Sequence, residues 1–429
     1  MKRSIMRCIL WCWCILMRIS AVEAQDWVHY EEAPIRYSLT AGQNRVSRLQ
    51  QQVAAGTVTL SYAPDGGYLR ALLEALEITP SSQVLVFSKT SLQSDKISPS
   101  RPRAIYFNAD THVGWVQDGM IEIAVADAEL GMVFYTLNNR SDSPPTFWRE
   151  TNRCLTCHGS FRTRYVPGLM VRSVYPDPEG HPVVAAGSSL TSYTTPFAER
   201  WGGWYVTGRH GAQQHRGNSV LAEHKKPSQW DVSAGQNVVD LQDRFDTSRY
   251  LTPHSDLVAL MVLEHQVATY NALTLGRFAV WAARWQWEHA SESQREAAQA
   301  AYQQALNRAI EDIARHLMLV GEYRLTAPVE GSSHFSQEWP ATVCGPFPQE
   351  WFALDLQTRL FRDPLSYLVH SEMFRGLPLE LREGIVQRLE QWVRGEWNPP
   401  GGHTLDAAAR ERIQRRLESV YQSQPLSAR

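Results

Sequence analysis

The chain has 429 residues, 43% hydrophobic and 20% charged, with a formal net charge of −2 at pH 7. That length supports two or three domains with buried cores in a soluble globular protein. No domain-wide basic patch accompanies the near-neutral charge, which argues against nucleic acid as a partner.

Residues 1–24 read as a signal peptide. Lys2, Arg3 and Arg7 form a positive start, Cys8 to Met17 a short apolar core, and Ala21-Val22-Glu23-Ala24 a small-residue cleavage site before Gln25. The apolar run is about ten residues, against the roughly 20 that a membrane-spanning helix needs. No later segment is apolar enough to span, so the mature chain is expected to be soluble and periplasmic, with a net charge near −5 once the leader is gone.

After the leader, residues 25–137 read as a mixed α/β domain. Helices are expected at Gln43–Ala54 and Tyr68–Leu76. Strands are expected at Gln83–Phe87, Ala104–Phe107, Val113–Val116, Ile121–Ala126 and Met132–Thr136, from their β-branched and aromatic content and Gly/Asp/Asn boundaries. Residues 138–253 carry dense turn signals, such as Ser143-Pro144-Pro145 and Gly202-Gly203, and read as a loop-rich section. From 254 to 429 the texture is helical: Asp256–Ala290, Ser293–Gly321, Pro364–Phe374, Pro378–Gly395 and Thr404–Gln422. The expected fold class is α+β.

Of six cysteines, Cys8, Cys12 and Cys14 leave with the leader, and only Cys154, Cys157 and Cys344 remain. Three thiols make no disulfide framework. Two of them stand in Cys154-Leu155-Thr156-Cys157-His158, a C-x-x-C-H. This spacing lets two thiols add across the vinyl groups of one haem while the adjacent His158 lies under the iron as axial ligand. A thioredoxin-like redox pair would follow a strand and open a helix, whereas Pro144-Pro145 and a polar stretch precede this motif. A zinc site would need a second ligand pair, and a structural disulfide across C-x-x-C would be strained. Covalent haem c is the reading that the motif, the leader and the lack of competing cysteines share; Cys344 reads as a small buried hydrophobe.

A ligand on the far side of the iron is expected to be nitrogen. His210, flanked by Gly208 and Gly211, ranks first, followed by His215 and His265, then Met170, with an open or water-bound iron as the remaining option. Arg200, Arg209 and Arg216 are candidates to pair with the haem propionates. Trp201, Trp204 and Tyr205 read first as core packing and second as haem-edge contacts.

The strings VGWV, ADAELGMVFYTL, CLTCHGS, VPGLMVRSVY, PFAERWGGWYVTG, HGAQQHRGN, LVALMVLEHQ and TRLFRDPLSYLVHSEMF lie between about residues 103 and 375. Together they resemble a family of exported bacterial proteins described only as cytochrome c domain-containing. The resemblance implies covalent haem at Cys154 and Cys157, with His158 as ligand and electron transfer as the role. Arg216 stands where it leads one to expect an apolar residue or Met. The expected function is that of an exported monohaem c-type cytochrome with a redox partner protein. Some 400 residues around one haem also suit a haem-dependent oxidoreductase or a haem-based ligand sensor with an open coordination site.

Overall fold

The computed structural model describes residues 29–222 and 226–422. The predicted leader lies outside them. Helices α1 (Arg45–Ala54) and α2 (Leu69–Ala75) precede strands β1 (Val84–Val86), β2 (Arg103–Phe107), β3 (Thr111–Trp115), β4 (Ile121–Asp127), β5 (Gly131–Leu137) and β6 (Phe147–Arg149). A single helical turn, α3 (Leu155–His158), is followed by the short strands β7 (Arg172–Val174), β8 (Ser188–Leu190), β9 (Trp204–Tyr205) and β10 (Gly208–Arg209). The C-terminal half holds α4 (Leu257–Glu288), α5 (Arg295–Leu317), β11 (Glu330–Gly331), α6 (Phe335–Val343), α7 (Glu372–Arg375), α8 (Leu379–Arg394) and α9 (Ala407–Gln422).

The class is α+β: one seven-stranded antiparallel sheet, in the order β6-β5-β4-β3-β2-β1-β9, and a helical C-terminal half. Strands β3 and β5 are buried on both faces, which is why they read as continuous apolar runs and not as an alternation. The sheet crosses the sequence boundary at residue 137, because β6 and β9 complete its two edges. The three segments read from sequence therefore interleave around one hydrophobic core that runs from Ile35 to Val420.

The expected long helices are present within a few residues of their sequence bounds. The helix expected over Pro364–Phe374 is instead a 3-10 turn, Tyr367–His370, followed by the four-residue α7. The reason is local: Ser366 and Ser371 each cap a new start, accepting from the backbone N–H of Leu368 and Phe374 at 3.1 Å.

The 32-residue α4 runs through the core, with most of its first two-thirds buried. It starts at Asp256, whose carboxylate accepts from the N–H groups of Val258 (2.8 Å) and Ala259 (3.0 Å) and from both the N–H and the hydroxyl of Ser333 (2.8 and 2.9 Å). Asp256 thus caps the helix and ties it to the turn before α6. No helix among the described residues is long and apolar enough to cross a membrane. Asp256→Ala should cost about 2 kcal/mol or more, because four donors lose a buried acceptor. Urea unfolding reads this, and a loss no larger than that of an exposed Asp→Ala control would refute the capping role.

Candidate haem-binding site

The motif forms one helical turn. His158 N–H bonds to the Cys154 carbonyl at 2.9 Å, so Cys154, Cys157 and His158 fall at i, i+3 and i+4 on one face. Cys154 is half-buried and Cys157 exposed; both are free thiols. Burial, with Glu150 and Glu122 adding to it, pushes the Cys154 thiol up to about 12. It stays protonated at neutral pH, the opposite of the acidified thiol that disulfide exchange employs.

His158 is clasped to one glycine twice. Its carbonyl accepts the Gly168 N–H at 2.9 Å, and its ring Nδ1 lies 2.8 Å from the Gly168 carbonyl. A carbonyl only accepts, so Nδ1 carries the proton and Nε2 keeps a bare lone pair. This is the tautomer and the backbone anchor of a metal-ligating imidazole. Gly168 is held in turn through its neighbour: Asn271 on α4 accepts from the Leu169 N–H (3.0 Å) and donates to the Leu169 carbonyl (2.8 Å). A side chain at 168 would collide with the Asn271 amide, so the close approach requires glycine.

The motif opens onto a cavity of about 260 Å³. Its floor is one face of the sheet, where register aligns Phe107, His112, Ala124 and Phe134 in one cross-strand row and Ile105, Gly114, Glu122 and Thr136 in the next. Ala124 leaves the hollow between the larger His112 and Phe134, while the space over Gly114 is taken by the Arg103 guanidinium. Leu263 and Val267 of α4, the stretch from Leu169 to Arg172, and Trp204 complete the walls. The His158 ring packs on Phe134 at 4.8 Å and lines this space. Burial lowers its pKa, which keeps the imidazole neutral.

Four arginines border the cavity: Arg103, Arg153, Arg162 and Arg172. Arg103 pairs with Glu122 at 2.5 Å, lying where a side chain at Gly114 would collide with it, and Arg153 pairs with Glu150. Arg162 and Arg172 have no such partner among the described residues. The first lies over the Phe161 ring at 4.5 Å, the second donates to the Ser188 hydroxyl at 3.2 Å, and burial together with Arg162 lowers the Arg172 pKa. Two uncompensated guanidinium groups beside an apolar cavity favour an anionic ligand there.

The other residues singled out from sequence lie elsewhere. His210 and His215 are fully buried 4.8 Å apart, centroid to centroid, and neither lines the cavity. His210 Nε2 accepts from the Asn237 N–H (2.9 Å), and His215 Nδ1 accepts from the Gly217 N–H (3.0 Å). Each neutral ring has thereby spent its only lone-pair nitrogen. His265 sits on α4 with Nε2 2.8 Å from the Ser366 hydroxyl, away from the cavity. Arg200 is paired with buried Glu264 at 2.7 Å, Arg209 is exposed, and Arg216 stacks over Tyr175 at 5.0 Å. None of these three, the candidates for propionate pairing from sequence, borders the cavity, whereas Arg162 and Arg172 do. Trp201 and Tyr205 are core, while Trp204 lines the cavity and donates to the Arg172 carbonyl at 2.7 Å. Met170 also lines it; Cys344 is half-buried and does not. The arginines at 162 and 172 were visible in the sequence within fifteen residues of Cys157, but only the fold shows that they lack acidic partners.

No family model, curated protein or solved structure matches the chain. Its chemistry is therefore argued from the site.

Burial pushes His112, His316 and His403 down to about 4, and His215 and His265 down to about 3. In the unfolded chain these rings protonate as pH falls through about 6.5. The unfolded state then binds more protons, so stability falls with falling pH. Glu264, pushed up to about 7 by burial, and Asp256 and Glu322, also raised by burial, act in the opposite sense as pH falls, but these three stand against the five rings named and His210 and His370, which burial also lowers. The urea midpoint should therefore decline steadily between pH 6.5 and 4. A flat midpoint over that window would mean that these rings are solvated or protonated in the folded state.

Proposed function

We propose that the chain is an exported monohaem c-type cytochrome, with haem c joined to Cys154 and Cys157 and His158 as axial ligand to its iron. One observation carries the reading: the Gly168 carbonyl holds the His158 Nδ1 proton, leaving Nε2 as the free nitrogen on a cavity whose rim carries both motif cysteines. The residues present fit the group. Ile105, Phe134, Leu169, Leu263 and Val267 offer apolar surface to a porphyrin, and Arg162 and Arg172 offer guanidinium groups to its two carboxylates. A porphyrin would itself supply most of the iron's ligands, so His158 is the one protein ligand that the motif has to provide.

When bound, the haem supplies a one-electron Fe(III)/Fe(II) couple. The chain's own residues do the rest. The clasp on Gly168 fixes the imidazole and raises its basicity, which stabilises the oxidised metal. The apolar walls exclude water and oppose a change in net charge. The paired charges of Arg103 and Glu122, largely buried beside Cys154 and His158, add a fixed local dipole. The exposed Cys157 edge is where an electron would pass to a redox partner protein.

Protein matured with periplasmic haem-ligation machinery should keep haem stain through denaturing gel electrophoresis. Cys154→Ala and Cys157→Ala should each leave at most one thioether, and the double variant should lose the stain entirely. An unstained wild-type band of correct mass would refute the assignment.

A further inference from the structure

Two imidazoles line the cavity, His158 and His112, and an acceptor holds the proton on one nitrogen of each. For His158 the acceptor is the Gly168 carbonyl, which leaves Nε2 bare. For His112 it is the side-chain oxygen of Gln266, 3.1 Å from Nε2. The Gln266 amide nitrogen donates to the Asn108 carbonyl at 2.8 Å, which turns its oxygen to the ring and puts the His112 proton on Nε2. The neutral ring therefore keeps its lone pair on Nδ1. That nitrogen is buried, and the Ala124 backbone beside the ring makes no aligned bond with it; it has no hydrogen-bond partner among the described residues.

A buried lone pair without a partner is destabilising, and Nδ1 of a neutral imidazole is a metal donor. One nitrogen held by an outer acceptor and the other left bare is how metal-ligating imidazoles are oriented. The cavity has this arrangement twice, and α4 supports both. Gln266 acts directly on His112, and Asn271 acts through Leu169 and Gly168 on His158.

The two rings also stand on either side of the hollow. His158 packs on Phe134 of β5, while His112 belongs to β3, with Ala124 of β4 between them in one cross-strand row. Adjacent strands lie ~4.8 Å apart, so the strands carrying His112 and Phe134 are separated by roughly 10 Å. That gap takes one flat macrocycle standing over Ala124. Phe107, stacked on His112 with centroids 5.9 Å apart and planes at 15°, backs the ring from β2.

We propose that His112 is the second axial ligand of the haem iron, binding through Nδ1 on the face opposite His158. The inference rests on the haem reading and deepens it. Two imidazoles suit a protein that passes single electrons, and they give a lower potential than a methionine ligand does. The nitrogen ligand expected from sequence then comes from the sheet and not from the segment that carries His210.

The test uses the full chain carrying covalent haem. Wild-type protein should be low-spin in both oxidation states and refuse carbon monoxide. With nitrogen-15 histidine, pulsed EPR of the ferric form should show coupling to two imidazoles. His112→Ala should keep its haem stain, turn high-spin, take up one carbon monoxide per haem, and return to low-spin when imidazole is added. That rescue separates ligation from packing. His112→Gln, closer in volume, should lose one of the two couplings. A high-spin wild type that binds carbon monoxide, or coupling to one imidazole alone, overturns the proposal without any variant. Low-spin spectra in His112→Ala, or both couplings in His112→Gln, overturn it too, and Met170→Ala and His224→Ala (the latter outside the described residues) then identify the ligand. Wild-type protein without haem stain on denaturing electrophoresis overturns the haem reading itself.

Discussion

Polar side chains on a helix buried in a core cost stability unless they find partners, and α4 carries many. Glu264, His265, Gln266, Thr269, Thr274 and Arg277 are all buried on it. An unmet buried polar group costs ~1–3 kcal/mol, so each contact made here constrains its partner as firmly as it stabilises the helix. Glu264 anchors the loop around Arg200, and His265 the turn at Ser366. Gln266 and Tyr270 hold the β2–β3 turn through the carbonyls of Asn108 and Ala109. Asn271 holds Leu169, and Arg277 holds the Gly376 carbonyl. One helix thus sets the positions of loops drawn from the whole chain, including the one that orients His158.

The site depends on this arrangement at two removes. Asn271 fixes Leu169, Leu169 fixes Gly168, and Gly168 fixes both the backbone and the ring tautomer of His158. Opposite, antiparallel register puts the small Ala124 between the larger His112 and Phe134 on the sheet face and so makes the hollow. The arginines then divide by function. Arg103 and Arg153 are neutralised by neighbouring carboxylates, and Arg162 and Arg172 border the cavity without a carboxylate partner among the described residues.

The helix and strand positions were legible because burial on two faces and amphipathic runs leave periodic marks in sequence. The C-x-x-C-H was legible because its chemistry is local: i, i+3 and i+4 on one turn need no tertiary information. What escaped was long-range. The strand β9 is two residues long, too short for any periodicity, yet it brings Trp204 to the cavity through pairing with β1. His210 looked like a presented ligand because glycines flank it, but Asn237, 27 residues on, donates its backbone N–H to the ring and accepts the His210 N–H with its side chain. His112 gave no sequence signal, since its place on the cavity floor follows only from register across three strands. Arg200, close to an aromatic run, proved to be the partner of a buried glutamate 64 residues away.

The central claim is that Cys154 and Cys157 both hold one haem whose iron takes Nε2 of His158. The most direct measurement is the alkaline pyridine haemochrome of the purified wild-type protein, because its α band moves to shorter wavelength with each vinyl group converted to a thioether. The account predicts the position of a haem with two thioethers, one haem per chain. A band at the position of unmodified protohaem, or no haem in correctly processed protein, would contradict it.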